Sequence, residues 1–140
     1  SVVIANRTLN RALDLAQLAQ NNGVSAKAIA ISGDEIDWAA ASADLIVNCT
    51  SVGMSHGPNE DGTPLMATQI PARSIVNDLV YTPMLTPMLK AAAEAKATGL
   101  GGLHMLIYQG ALSFKMWTDQ DAPVDIMLES ATREMVSRGA

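Results

Sequence analysis

A single cysteine, Cys49, leaves the chain without an internal disulfide and without the paired thiols of a Cys-rich zinc site, and it fits a reducing compartment. Histidine is almost as scarce. His56 and His104 lie in different segments with no cysteine or carboxylate at metal-ligand spacing, so neither a metal site nor a Ser-His-Asp or Cys-His catalytic arrangement is expected. Basic residues are also few. Nine Lys and Arg against fourteen Asp and Glu give a net charge of −5, which argues against nucleic acid or an anionic membrane as partner, because neutralising their phosphates takes a broad basic face. Any phosphate bound here must meet a small local site. No apolar stretch approaches the roughly 20 residues that cross a bilayer, and the N-terminus lacks the order of a secretion signal, so the expected location is the cytoplasm.

What is present is a chain of 140 residues, 49% hydrophobic and 16% charged, which suffices for one compact domain that buries roughly 68–70% of its unfolded surface. Apolar runs and helical periodicities alternate along it. Val2 to Ala5 read as a short buried strand, and Leu9, Ala12, Leu13, Ala16 and Ala19 recur at helical spacing until Asn21-Asn22-Gly23 stops the helix. Lys27 to Ile31 form a second apolar run, Asp34 to Ala41 a short acidic helix, and Asp44 to Cys49 a third strand. His56 to Pro64 is a loop rich in Gly, Pro, Asn and Asp, before a strand from Ser74 that ends at Asp78. Thr86 precedes an Ala-rich helix from Pro87 to about Ala97; Gly99, Gly101 and Gly102 break the chain; and two helices follow, Leu103 to Trp117 and Pro123 to about Val136. Strands separated by helices predict an α/β fold with a doubly wound parallel sheet, in three αβα layers, with ligands outside the carboxyl ends of the strands. The abrupt start on Ser1-Val2-Val3-Ile4 reads as a cut through such a sheet.

Chemistry concentrates where strands end. Asn6-Arg7-Thr8 follows the first strand, a position at which NAD-binding folds commonly carry an acid for the ribose hydroxyls, and that acid is absent. Arg7 and Arg11 flank the start of a helix whose expected N-cap is Thr8, where the helix dipole disfavours cations. An anion such as a ribose 2′-phosphate would explain both, which points to NADP rather than NAD. Two solvated surface arginines fit the same spacing. Asn48-Cys49-Thr50-Ser51-Val52-Gly53-Met54 supplies small and hydroxylated residues through which backbone can approach a cofactor, and equally describes an ordinary strand-ending turn with Gly53 at positive φ. Tyr81, after a strand end, suits either a ligand contact or a core cap. In the helix after Gly102, the residues Leu103, Met105, Leu106, Ile107, Ala111, Leu112 and Phe114 read mostly as core, and Gln109 as a satisfied core amide. The eight methionines read as gap-filling core, and Lys115 with Asp119 as a surface pair.

Four motifs in order resemble those of shikimate dehydrogenases: Asn6-Arg7-Thr8 after a strand; Asn48 to Met54; Asp78-Leu79-Val80-Tyr81-Thr82-Pro83 with Thr86-Pro87; and Gly102-Leu103-His104-Met105-Leu106-Ile107-Tyr108-Gln109-Gly110-Ala111. The resemblance covers essentially residues 1–140, as a partial NADP-binding Rossmann domain from the family's second strand to its C-terminal helices. It implies that Asn6, Arg7, Thr8 and Arg11 hold the 2′-phosphate of NADP, that Thr50, Ser51 and Gly53 border the cofactor, and that Leu79 and Gly102 line the nicotinamide region. Tyr81 and Gln109 would reach shikimate or 3-dehydroshikimate. The intact enzyme would reduce 3-dehydroshikimate to shikimate with NADPH in aromatic amino-acid biosynthesis.

Departures from the family pattern shape further expectations. The Gly-rich pyrophosphate loop, the first strand and the substrate domain with its proton-exchanging Lys and Asp should precede Ser1, so no catalytic acid or base is named here and the chain alone is expected to be inactive. His104 stands where the family usually has a small residue, near the nicotinamide. The absent strand is central in the order 3-2-1-4-5-6, so two strand edges should be left open, and open edges recruit strand exchange, a second copy or another chain. A quinate/shikimate dehydrogenase and a non-catalytic dinucleotide-binding module are the alternatives.

Overall fold

The computed structural model describes residues 1–137; residues 138–140, included in the expected domain, lie outside them. Two compact units, Ser1–Ala43 and Asp44–Ala140, are distinguished by their internal contacts, and each is a parallel α/β assembly.

The N-terminal unit is a β-α-β-α run: β1 (Val2–Asn6), α1 (Leu9–Asn21), β2 (Ala26–Ala30) and α2 (Asp34–Ala41). Parallel pairing sets Val2 beside Ala26 and Asn6 beside Ala30. A parallel pair needs a crossover, and α1 supplies it, packing Ala12 and Ala16 against the two strands. Small residues on that stripe let the helix approach the sheet closely. Val2 and Val3 were expected to be buried but are exposed, because among the described residues β1 pairs with β2 alone. The acidic first turn of α2, with Asp34, Glu35 and Asp37, suits the positive end of its dipole.

In the C-terminal unit, β3 (Leu45–Asn48), β4 (Ile75–Asp78) and β5 (Thr98–Leu100) form a parallel sheet in that order, joined in part by α3 (Pro87–Glu94) and followed by α4 (Leu103–Thr118) and α5 (Val124–Ser137). The expected chain break at Gly99 thus contains a strand. Thr98-Gly99-Leu100, followed at once by Gly101 and Gly102, carries no periodicity, and its strand conformation comes from pairing with Ile75, Val76 and Asn77. Val76 and Asp78 face the side covered by α3, whose Met88, Leu89, Ala91 and Ala92 are buried. The register places Leu45 beside Ile75, and Val47 beside Asn77, which in turn neighbours Leu100. Side chains paired across strands share a face. Leu45, Val47, Ile75 and Leu100 are all exposed, so this face of the sheet stands open among the described residues.

Several core expectations are corrected. Leu103 and Ile107 of α4 are buried, but Met105, Leu112 and Phe114 are exposed, because α4 packs chiefly on α5 and leaves the rest of its surface to solvent. Gln109 is likewise exposed rather than a core amide. Met88 is the methionine in the core, whereas Met54, Met66, Met84, Met105 and Met116 are exposed. Lys115 pairs with Asp121 (2.6 Å) rather than Asp119, which adopts a left-handed C-cap (φ 57°) and so points away from the helix row.

Candidate functional site

At the carboxyl end of β1 the chain turns into α1 through Arg7 and Thr8 alone. Asn6 Oδ1 accepts a hydrogen bond from the Thr8 N–H (2.9 Å), which shapes the turn as an Asx side chain commonly does. Thr8 is the N-cap, with extended backbone (φ −101°, ψ 99°), yet its hydroxyl makes no capping bond. The Arg11 N–H is taken by the Thr8 carbonyl (3.0 Å), the N–H groups of Leu9 and Asn10 have no intrahelical acceptor by construction, and the first turn holds no acid. Arg7 and Arg11 are exposed, and neither enters an ion pair among the described residues. Two guanidinium groups, a free hydroxyl and the two unpaired amides, with no carboxylate among them, form a donor set that fits a phosphate dianion and lacks the acid that would accept from ribose hydroxyls.

The other expected site residues lie in the C-terminal unit, at the carboxyl ends of β3 and β4 and at the start of α4. Asn48 closes β3, and its Oδ1 accepts from the Thr50 N–H (3.0 Å) and the Thr50 hydroxyl (2.7 Å). Thr50 Oγ1 in turn accepts from the Val52 N–H (3.1 Å), so Thr50 holds the turn rather than projecting freely. Ser51 is exposed. Gly53 has φ +85°, and a Cβ there would lie 3.2 Å from Pro87 and 3.3 Å from the Gly62 carbonyl, so the turn needs glycine for both its dihedral and its space.

Leu79 and Gly102 meet backbone to backbone. A Cβ on Gly102 would collide with the Leu79 carbonyl and sit 3.0 Å from that of Asp78, so glycine is what lets α4 begin directly against the end of β4. Tyr81 is 42% exposed just beyond, and Gln109 is exposed on α4, both available to a ligand. An open hollow of about 320 Å³ is lined by Asn77, Gly99, Leu100, Gly101, His104 and Met105. Among the described residues there is no group of three or more His, Cys, Asp or Glu that could hold a metal ion.

Residues that sequence reasoning quoted but left without a role are Asn48, Asp78 and Thr86, all buried. Asp78 Oδ1 accepts from Asn48 Nδ2 (2.9 Å) and the Val80 N–H (3.1 Å), and Oδ2 from the Thr86 hydroxyl (2.6 Å). Thr86 caps α3 by accepting from the Leu89 N–H (3.1 Å). The available signal was an Asn and an Asp each closing an otherwise apolar strand.

Parallel strand-helix units, each with polar turns at the carboxyl ends of its own strands, define a Rossmann-like α/β fold of the dinucleotide-binding class. Within that class the chain is similar to shikimate dehydrogenases. Residues 102–132 match the family model described as Shikimate 5'-dehydrogenase C-terminal domain. The chain is 48% identical, over 96% of its length and 46% of the relative's, to the shikimate dehydrogenase (NADP(+)) of Methanopyrus kandleri. Among solved structures it is similar to a quinate dehydrogenase from Corynebacterium glutamicum in complex with NAD (TM-score 0.82, 29% identity, 94% of this chain and 45% of that one). It is also similar to a shikimate 5-dehydrogenase from Thermus thermophilus in complex with NADP(H) and shikimate (TM-score 0.75, 34% identity, 94% and 45%). The chain spans about half the length of the curated relatives it matches.

Proposed function

We propose that residues 1–140 are the NADP-binding part of a shikimate dehydrogenase, a cytoplasmic enzyme that interconverts 3-dehydroshikimate and shikimate. The observation that carries this reading is the 48% identity, across 96% of the chain, to a shikimate dehydrogenase (NADP(+)). The start of α1 supports the cofactor choice: Arg7, Arg11, the Thr8 hydroxyl and the first-turn amides receive the 2′-phosphate, with Asn6 shaping the turn. Thr50, Ser51 and Gly53 border the cofactor, the Leu79–Gly102 contact floors the nicotinamide region, and Tyr81 and Gln109 contact the substrate. When bound, the nicotinamide supplies the hydride. This chain's residues bind and orient, while the groups that exchange the proton with the substrate hydroxyl lie outside the 140 residues.

The test is turnover by the full-length protein with NADP+ and shikimate, followed by absorbance of the reduced cofactor. Activity with NADP+ and shikimate is expected, with NAD+ and quinate weaker. Stronger turnover with quinate moves the reading to a quinate/shikimate dehydrogenase, a reading that the likeness to the NAD-bound quinate dehydrogenase favours. Cofactor binding without turnover of either would leave a non-catalytic dinucleotide-binding module.

The open strand edges support an association. Among the described residues β1 pairs only with β2, and β3 only with β4, and both carry exposed apolar side chains. Edges of that kind take up a strand from a second copy, from another chain or from residues outside these 140.

A further inference from the structure

The buried polar chain through Asn48, Asp78 and Thr86 links segments that are far apart in sequence. From the Val52 N–H it runs through the Thr50 hydroxyl and the Asn48 amide to the Asp78 carboxylate, then to the Thr86 hydroxyl and the Leu89 N–H at the start of α3. Asp78 also holds the Val80 N–H, two residues along its own chain. Every step is 3.1 Å or shorter, and among the described residues no buried side-chain polar atom lacks a partner. Asp78 is fully buried, and no cation pairs with it among the described residues. Three donors converge on it instead, one from β3, one from the segment leading to Tyr81 and one from the α3 cap. Beyond this root, the Ser55 N–H donates to the Thr82 carbonyl (2.7 Å), a second tie between the same two loops.

A buried carboxylate is costly to desolvate, so a hydrophobic residue would serve a purely structural core as well or better, whereas a fully satisfied network fixes one geometry. We propose that Asp78 is a positioning residue that locks the Asn48–Gly53 turn to the Leu79–Tyr81 segment at one fixed spacing. Resting on the function proposed above, this makes the cofactor-bordering turn and the substrate-facing Tyr81 parts of one rigid wall. Loosening either end of the network then loosens the other.

The test is hydrogen exchange in the full-length protein, with ligand binding measured beside it. Thr86→Val removes the hydroxyl at the α3 end, and Thr86→Ser keeps it. The valine variant is expected to raise exchange at Val80, Thr50 and Val52 roughly tenfold, with β1 and α1 unchanged, and the serine variant to restore it. Asp78→Asn, of nearly the same shape, should do the same, while the affinity for NADPH falls about tenfold and the KM for shikimate rises in parallel. A change confined to the first turn of α3 would overturn the proposal, as would a uniform rise across the chain, which reports lost stability instead of lost positioning. Should the wild type bind neither NADPH nor shikimate, the functional reading fails, while the exchange pattern still decides whether the two loops are locked.

Discussion

Gly102 shows how one missing methyl group sets the geometry of a site. Because its Cβ would collide with the Leu79 carbonyl, Gly102→Ala must push α4 away from the end of β4. Backbone cannot yield as a side chain can, so the substitution should cost roughly 1–3 kcal/mol, read as a lowered urea midpoint, and should weaken NADPH binding. Gly99→Ala provides the contrast, since its nearest neighbour is the movable Leu89 Cδ2 at 3.1 Å, and it should cost far less. Arg7 and Arg11 differ in kind, being exposed and without ion-pair partners among the described residues, so neutralising them should leave stability nearly unchanged and act on ligand alone. Equal losses of stability and affinity in Arg11→Ala would contradict that assignment.

At the scale of elements, an ion pair closes the C-terminal end of α4. Lys115 donates to Asp121 at 2.6 Å, and that hydrogen bond, with the attraction of the charges, raises Lys115 above its ordinary range and lowers Asp121 below its own. A lowered carboxylate stabilises the fold above its unfolded pKa and loses that contribution as pH falls through the folded value. A raised ammonium stabilises below its unfolded pKa and loses the contribution as pH rises through the folded one. The pair therefore acts between about pH 4 and pH 10. Both groups are exposed, so the effect is small and salt-sensitive: Asp121→Asn should lower the Tm slightly at pH 7 in low salt and not at pH 3. The sequence showed α2 at Asp34–Ala41, and the end of β4 at Asp78, because acids gather at the start of the one and a polar residue closes the apolar run of the other. It did not show β5, whose glycine-rich Thr98–Leu100 becomes a strand only through its neighbour, nor the partner of Lys115, which depends on the left-handed turn at Asp119. Motif residues at strand ends were legible as a candidate site. The hydrogen bonds that tie Asn48 to Asp78 across thirty residues were not, since no local pattern encodes them.

At the scale of the whole molecule, the parallel sheets leave apolar strand residues exposed that the proposed association would cover. Leu45, Val47, Ile75 and Leu100 share one uncovered face, and the relatives are about twice as long as this chain. The 140-residue polypeptide by itself should consequently sediment as an assembly larger than 14.7 kDa and bind a hydrophobic dye, and Val47→Lys should reduce both. A well-behaved 14.7 kDa monomer without dye binding would show that the open face and edges need no cover. On the function proposed above, NADP is held through the start of α1. Titration of the full-length protein with NADPH and NADH, as wild type and as the double variant Arg7→Ala/Arg11→Ala, decides this. Preference for NADPH is expected in the wild type, with a loss of about tenfold or more in NADPH affinity alone in the variant. Equal affinity of the wild type for both cofactors, or an equal loss of both in the variant, would contradict it.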